Sequence, residues 1–152
     1  MGTEADKSRI MTEQIAQAHN ETPANETPAE LVLRVMTMPA DLNGAGSIFG
    51  GWIMARLDQA AGLAGGSASS GNVTTVAVKE LLFLHPVYPH QDVKVYARLL
   101  RTGRTSMHFH LEMWAADLGK AESIQCATAT FVVVAVDAKG KPRACYTNGY
   151  RD

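Results

Sequence analysis

The stretch RTSMHFHLEMW, residues 104 to 114, alternates without a break. Thr105, Met107, Phe109, Leu111 and Met113 take one side, and Arg104, Ser106, His108, His110 and Glu112 take the other. A period of two belongs to a β-strand with one face on a core and the other toward water. The strand is predicted over 104–115, and stretches rich in β-branched and aromatic residues predict three more at 73–84, 93–101 and 121–136. Earlier in the chain, LVLRVMTM (31–38) predicts a first strand that ends before Pro39.

After that first strand the period changes. From about Phe49 to Ala64 there is no proline, and Ile53, Met54, Leu57, Ala60, Ala61 and Ala64 share one broad helical face, with Arg56 and Gln59 opposite. The run GGSASSGN that follows predicts a loop. RTGR (101–104) and ADLGK (116–120) each hold a glycine between strands and predict hairpins, hence antiparallel pairing. One apolar helix and one sheet with an apolar face can cover each other, so the pattern predicts an α+β domain whose sheet wraps the helix.

Residues 1–30 are polar and rich in Glu, Thr, Ala and Pro, with NETPA at 20–24 repeated at 25–29. Such a composition buries too little to order itself, which predicts a disordered tail at 1–30, a single domain at 31–145 and a short tail at 146–152. The chain has 152 residues, 46% of them hydrophobic, enough for one domain with a real core. Its formal net charge of -1 argues against a coat for phosphate backbones, so no nucleic-acid partner is expected and any bound anion must meet a local cluster of cations. No stretch reaches the roughly 18 apolar residues of a membrane span, and MGTEADKSRIMTEQ is too polar for a signal peptide, so no membrane partner and a cytosolic location are expected. Cys126 and Cys145 are far apart and show no metal-ligand spacing, which fits reduced thiols.

The segment SIFGGWIMARLDQAAGLAGG (47–66) carries the candidate chemistry. Gly50 and Gly51 stand at the helix start, where free N–H groups and the helix dipole can hold an oxyanion or polarise a carbonyl. Asp58 falls on the margin of the apolar face. A carboxylate is costly to desolvate there unless paired, and such an acid can serve as general base or nucleophile. By spacing alone, tight packing explains the glycine pair better than an anion site does, and a solvated or ion-paired helix residue explains Asp58 as well as a catalytic one. His108 and His110 share a strand face, but with no third ligand in view they fit a polar outer face or a subunit contact better than a metal site.

In combination, MPADLNGAGSIFGGWIMARLDQAAG (38–62), VAVKELLFLHPV (76–87) and AVDAKGKPRA (135–144) resemble the hot-dog-fold acyl-CoA thioesterases of the YciA-like and brain acyl-CoA hydrolase-like group, over about residues 31–145. The shared features are an Asn a few residues before Gly-Gly, the Gly-Gly at the helix start, an Asp seven residues after the second Gly, and a terminal G-K-P-R. The resemblance implies a hot-dog fold, a curved antiparallel sheet of about five strands around one central helix. It also implies a homodimer with active sites at the subunit interface, grouped as a hexameric trimer of dimers. It places Asp58 on the catalytic carboxylate, Asn43 on the loop asparagine and Gly51 on the amide that polarises the thioester carbonyl. It further implies acyl-CoA as substrate, with coenzyme A contacts at Gly50, Arg104, Thr105, Ser106, Lys141 and Arg143 and with no metal or other cofactor. Gly44 and Ser47 depart from the group's loop, where an Asp is typical at position 47, which bears on substrate preference more than on chemistry. Two alternatives stand beside hydrolysis: a regulatory domain that binds acyl-CoA without turnover, and a hot-dog dehydratase, for which His85 lies in the wrong context.

Overall fold

The computed structural model describes residues 28–145, and within them lie five strands and one long helix. The elements run β1 (Glu30–Met36), a short 3-10 turn (Pro39–Asp41), α1 (Gly50–Ser69), β2 (Val73–Phe83), β3 (Gln91–Thr102), β4 (Ser106–Asp117) and β5 (Ile124–Ala135). The tail expected at 1–30 falls outside the described residues up to position 27, and the one expected at 146–152 falls outside them entirely.

All five strands pair antiparallel in the order β1-β3-β4-β5-β2. The expected hairpins join β3 to β4 and β4 to β5. The helix touches every strand, so the sheet curves around it as the amphipathic patterns require. On β4 the inward set Met107, Phe109, Leu111 and Met113 is buried. It faces Leu57, Ala60 and Ala61 of α1, together with Ala129, Phe131 and Val133 of β5, in one core. Of the six residues expected on the helix's apolar face, five are buried, while Met54 is 45% exposed.

The helix runs five residues past the expected end at Ala64, through Gly65, Gly66, Ser67, Ala68 and Ser69, before Ser70 turns it off in the left-handed conformation at φ 54. Glycine usually weakens a helix interior. At Gly65 close packing overrides that tendency, because a Cβ there would stand 2.8 Å from Val133 Cγ2 and 3.3 Å from both Val73 methyl groups. The bare Cα therefore lets α1 lie directly on β5 and β2, and the tertiary contact keeps the segment helical.

The two edges of the sheet are β1 and β2. Strand β2 is long and interrupted by register shifts at Thr75/Ala77 and Lys79/Leu82, the latter flanking Glu80 at φ 53. Val76 and Val78 stand 57% and 47% exposed along it. A long edge that shows apolar side chains and unpaired backbone groups is a ready template for another strand.

Candidate active site

The loop before α1 is tightly tied. Asn43 N–H donates to Ser47 O at 2.7 Å, Phe49 N–H donates to Asp41 O at 2.9 Å, and Leu42 and Ile48 form an isolated bridge. The Asn43 side chain organises its own loop. Its Oδ1 accepts from the amides of Ala45 (2.8 Å) and Ser47 (3.1 Å), and its Nδ2 donates to Ser47 Oγ at 3.0 Å. An asparagine that folds the backbone around its amide is held in one orientation.

No side chain caps the start of α1; Phe49 occupies the cap position, and its carbonyl accepts from the amides of Trp52 and Ile53. The Gly50 and Gly51 amides are left as the orphan donors that every helix start presents. Gly51 is exposed and a Cβ on it would meet nothing within 4 Å, so no side chain crowds the helix start there, whereas one on Gly50 would lie 3.3 Å from Phe83 Cζ.

Asp58 is exposed on α1, and its Oδ1 accepts a 2.5 Å hydrogen bond from Thr75 Oγ1 on β2. Sequence reasoning missed Thr75, because a threonine in a strand is ordinary and nothing in the pattern marks it. Only the docking of α1 on β2 puts hydroxyl and carboxylate together. Gly51 and Asp58 are seven residues apart, which places them on nearly the same face of the helix but about 10.5 Å apart along it. One helix therefore cannot bring its own amide and its own carboxylate to a single reacting atom.

Cysteine chemistry is not on offer at Cys126. That thiol is buried, donates to Met113 O at 3.3 Å, and is pushed up to about 12 by desolvation, far from the thiolate a nucleophile needs. His108 and His110 sit on the outward face of β4, the first with its Nε2 3.2 Å from Arg101 Nη2 and the second 3.5 Å from Glu112. Burial, with Arg101 and Lys79 nearby, lowers the His108 pKa. Among the described residues no three His, Cys, Asp or Glu side chains gather as a metal site would require, and no helix is long and apolar enough to cross a membrane. His85 follows β2, is exposed, and lines a small cavity beside the helix start.

Residues 45–122, which hold the helix start, Asp58 and Thr75, match the family model of the Thioesterase superfamily. The acyl-CoA thioester hydrolase YciA of Escherichia coli K12 is 38% identical over 126 residues, covering 81% of this chain and 96% of that protein. The chain belongs to the thioesterase superfamily. Two solved relatives show the same hot-dog fold: the hexameric thioesterase y2039 from Yersinia pestis (38% identity, TM-score 0.75, 80% of this chain and 99% of that one) and the hexameric hotdog fold thioesterase Cj0915 of Campylobacter jejuni (30% identity, TM-score 0.72, 76% and 90%).

In this thioesterase-superfamily chain the expected coenzyme A contacts Arg104, Lys141 and Arg143 belong to segments that meet at the other end of α1. The β3–β4 turn meets the C-terminal segment there, with the Cys145 amide donating to Arg104 O at 3.0 Å and the Ala135 amide donating to Thr105 O at 2.9 Å. Arg104 and Lys141 are exposed, and Ser106 is half-buried at the start of β4. Arg143 is occupied within the chain. Its guanidinium donates to Val136 O, Ser69 O, Ser69 Oγ, Asn72 O and Ala144 O, at 3.0 to 3.5 Å. With five acceptors for five donors it caps the C-terminal end of α1, where a cation also suits the dipole. Arg104 and Lys141 are then the members of the expected trio with exposed charge.

Proposed function

We propose that this chain hydrolyses acyl-CoA thioesters to coenzyme A and a carboxylic acid, as a homodimer whose sites are shared between subunits. The observation that carries the reading is the pair formed by an exposed carboxylate, Asp58 held by Thr75, and an exposed helix start, Gly51, on the same face of α1.

The helix geometry itself supports the shared site. The midpoint between residues 51 and 58 falls between Met54 and Ala55, both exposed. A twofold axis crossing there lays two helices antiparallel, with Gly51 of one beside Asp58 of its partner. The open β2 edge, on the side of α1 that holds Asp58, offers the backbone groups by which two sheets join. This arrangement sets the partner's helix start toward the basic end of α1, so a substrate reaching from Gly51 would run toward Arg104 and Lys141.

In this site the carbonyl oxygen of the thioester accepts from the Gly51 amide. As charge develops on that oxygen the bond strengthens, so the amide favours the transition state over the substrate. Asp58 of the partner then either takes a proton from water as water attacks and passes it to the departing thiolate, or attacks the carbonyl carbon itself, expelling the thiolate and forming a mixed anhydride that water hydrolyses to the carboxylic acid, its proton going to the thiolate. Coenzyme A leaves as the thiol, and no cofactor is required. Asn43 orients the substrate or the water, and trimers of such dimers would give the hexamer seen for the relatives.

Thiol release from a panel of acyl-CoAs tests the reading directly, since a binding domain would hold the substrates without releasing thiol. Raising the salt should weaken acyl-CoA more than the matching acyl-pantetheine, because screening acts on Arg104 and Lys141 facing the nucleotide phosphates. Equal salt effects on both would remove these cations from the site.

Thr75→Val should lower kcat about tenfold with KM little changed, the scale of one hydrogen bond to a charged group. Thr75→Ser should restore most of the loss. If serine fails to rescue, the threonine methyl matters for packing and the hydroxyl does not hold the carboxylate.

A further inference from the structure

Beside the first turn of α1 lies a cavity of ≈ 230 Å³ whose walls include Ser47, Ile48, Gly50, Ile53, Phe83 and Val87. It adjoins the groups expected to hold the thioester: Ser47 Oγ accepts from Asn43 Nδ2, and Gly50 precedes Gly51. Its lining is mixed: Ile48, Ile53, Phe83, Leu84 and Val87 supply apolar walls, and Ser47 and His85 supply polar ones. It is smaller than the roughly 300–1,000 Å³ of a pocket that engulfs a drug-sized ligand, so it has room for a chain and not for a nucleotide.

Three walls are fixed by the core, with Ile48, Ile53 and Val87 exposed by 3%, 4% and 0%. Phe83 differs. It ends β2 at 53% exposure, with its ring against Gly50 so closely that a Cβ there would come within 3.3 Å. It is therefore the wall whose position and bulk can change without repacking the core.

A larger cavity of ≈ 570 Å³ lined by Leu63, Ala64, Ser67 and Ala68 does not compete for this role. At about 100° per residue, Leu63 and Ser67 lie about 140° and about 180° round the helix from Asp58, on its far side. A chain attached to a carbonyl at the helix start has the smaller cavity next to it.

We infer that the smaller cavity receives the acyl chain of the substrate and that the Phe83 ring sets the chain length accepted. This rests on the proposed thioester hydrolysis and adds the part of the substrate that the catalytic groups leave open. Because Phe83 is half-exposed, its substitution leaves the core intact.

The experiment measures kcat/KM for butanoyl-, hexanoyl-, octanoyl- and dodecanoyl-CoA by thiol release, with the unmutated chain, Phe83→Ala and Phe83→Trp. Phe83→Ala should raise the ratio of dodecanoyl to butanoyl turnover by about tenfold or more, the scale of discrimination that one or two methylenes give in an apolar pocket. Phe83→Trp should move the ratio the other way. If both variants hydrolyse acyl-CoA with the unmutated chain's length profile, the acyl chain lies elsewhere and the inference fails while the proposed activity stands. If the unmutated chain releases thiol from none of the four, the activity itself fails and the subsite with it.

Discussion

Asp58→Asn is expected to cut acyl-CoA hydrolysis by about 10²- to 10⁴-fold, the usual contribution of a positioned acid or base. The substitution is close to isosteric, and the amide oxygen can still accept from Thr75 Oγ1, which holds Asp58 at 2.5 Å. Asp58 is exposed and outside the core, so melting temperature and acyl-CoA affinity should change little. The loss should therefore fall on kcat. Single-turnover thiol release with enzyme in excess separates this result from weakened binding. A drop of about tenfold or less would put the carboxylate outside the reacting groups.

The second large effect is a recovery. Asn43→Ala and Asp58→Ala homodimers should each be nearly inactive, because every site in each is damaged. In a mixed dimer with shared sites, one site collects both substitutions, while the other takes an intact Asn43 from one chain and an intact Asp58 from the other. Random exchange makes half the dimers mixed, and half of their sites are whole, so twofold symmetry gives roughly a quarter of the unmutated activity. Equal amounts of the two variants are refolded together and assayed against each alone, with exchange followed by a mass tag on one chain. Exchange without recovery would mean that both residues act within one chain or that Asn43 takes no part. The geometry argues for recovery, since about 10.5 Å of helix separates a chain's own Asp58 from its own Gly51.

Strand positions are legible in the sequence wherever one face meets the core. The alternation through Met107, Phe109, Leu111 and Met113 alone marks β4 and its inward face. Hairpin glycines give the β3-β4-β5 neighbours, but nothing local can place β2 beside β5 and leave it as an edge. That pairing joins residues about fifty apart, such as Val78 and Phe131. The helix outruns its expected end at Gly65 because propensity speaks for the isolated chain, and the deciding contact is with Val133 on another element.

The site divides in the same way. Asp58 stands out as a carboxylate at an apolar margin, and the family pattern supplies Asn43 and Gly51. Thr75 carries no signal, because its role appears only once α1 rests on β2. Arg143 shows a second thing the sequence hides: within the chain its guanidinium donates to Ser69 and Asn72, more than 70 residues away in sequence, a contact that no local motif signals.

The missing side chain at Gly65 then has a reach beyond its own turn of helix. Position 65 lies two turns past Asp58 on nearly the same face, and both positions rest against β2, one at Val73 and the other at Thr75. A methyl group wedged at 65 would act as a fulcrum between helix and sheet, prying α1 outward and opening the short gap across which Thr75 grips the carboxylate. In the proposed site, a position with no functional group, about 10 Å along the helix from Asp58, would thus set how the carboxylate is held through an atom that is not there.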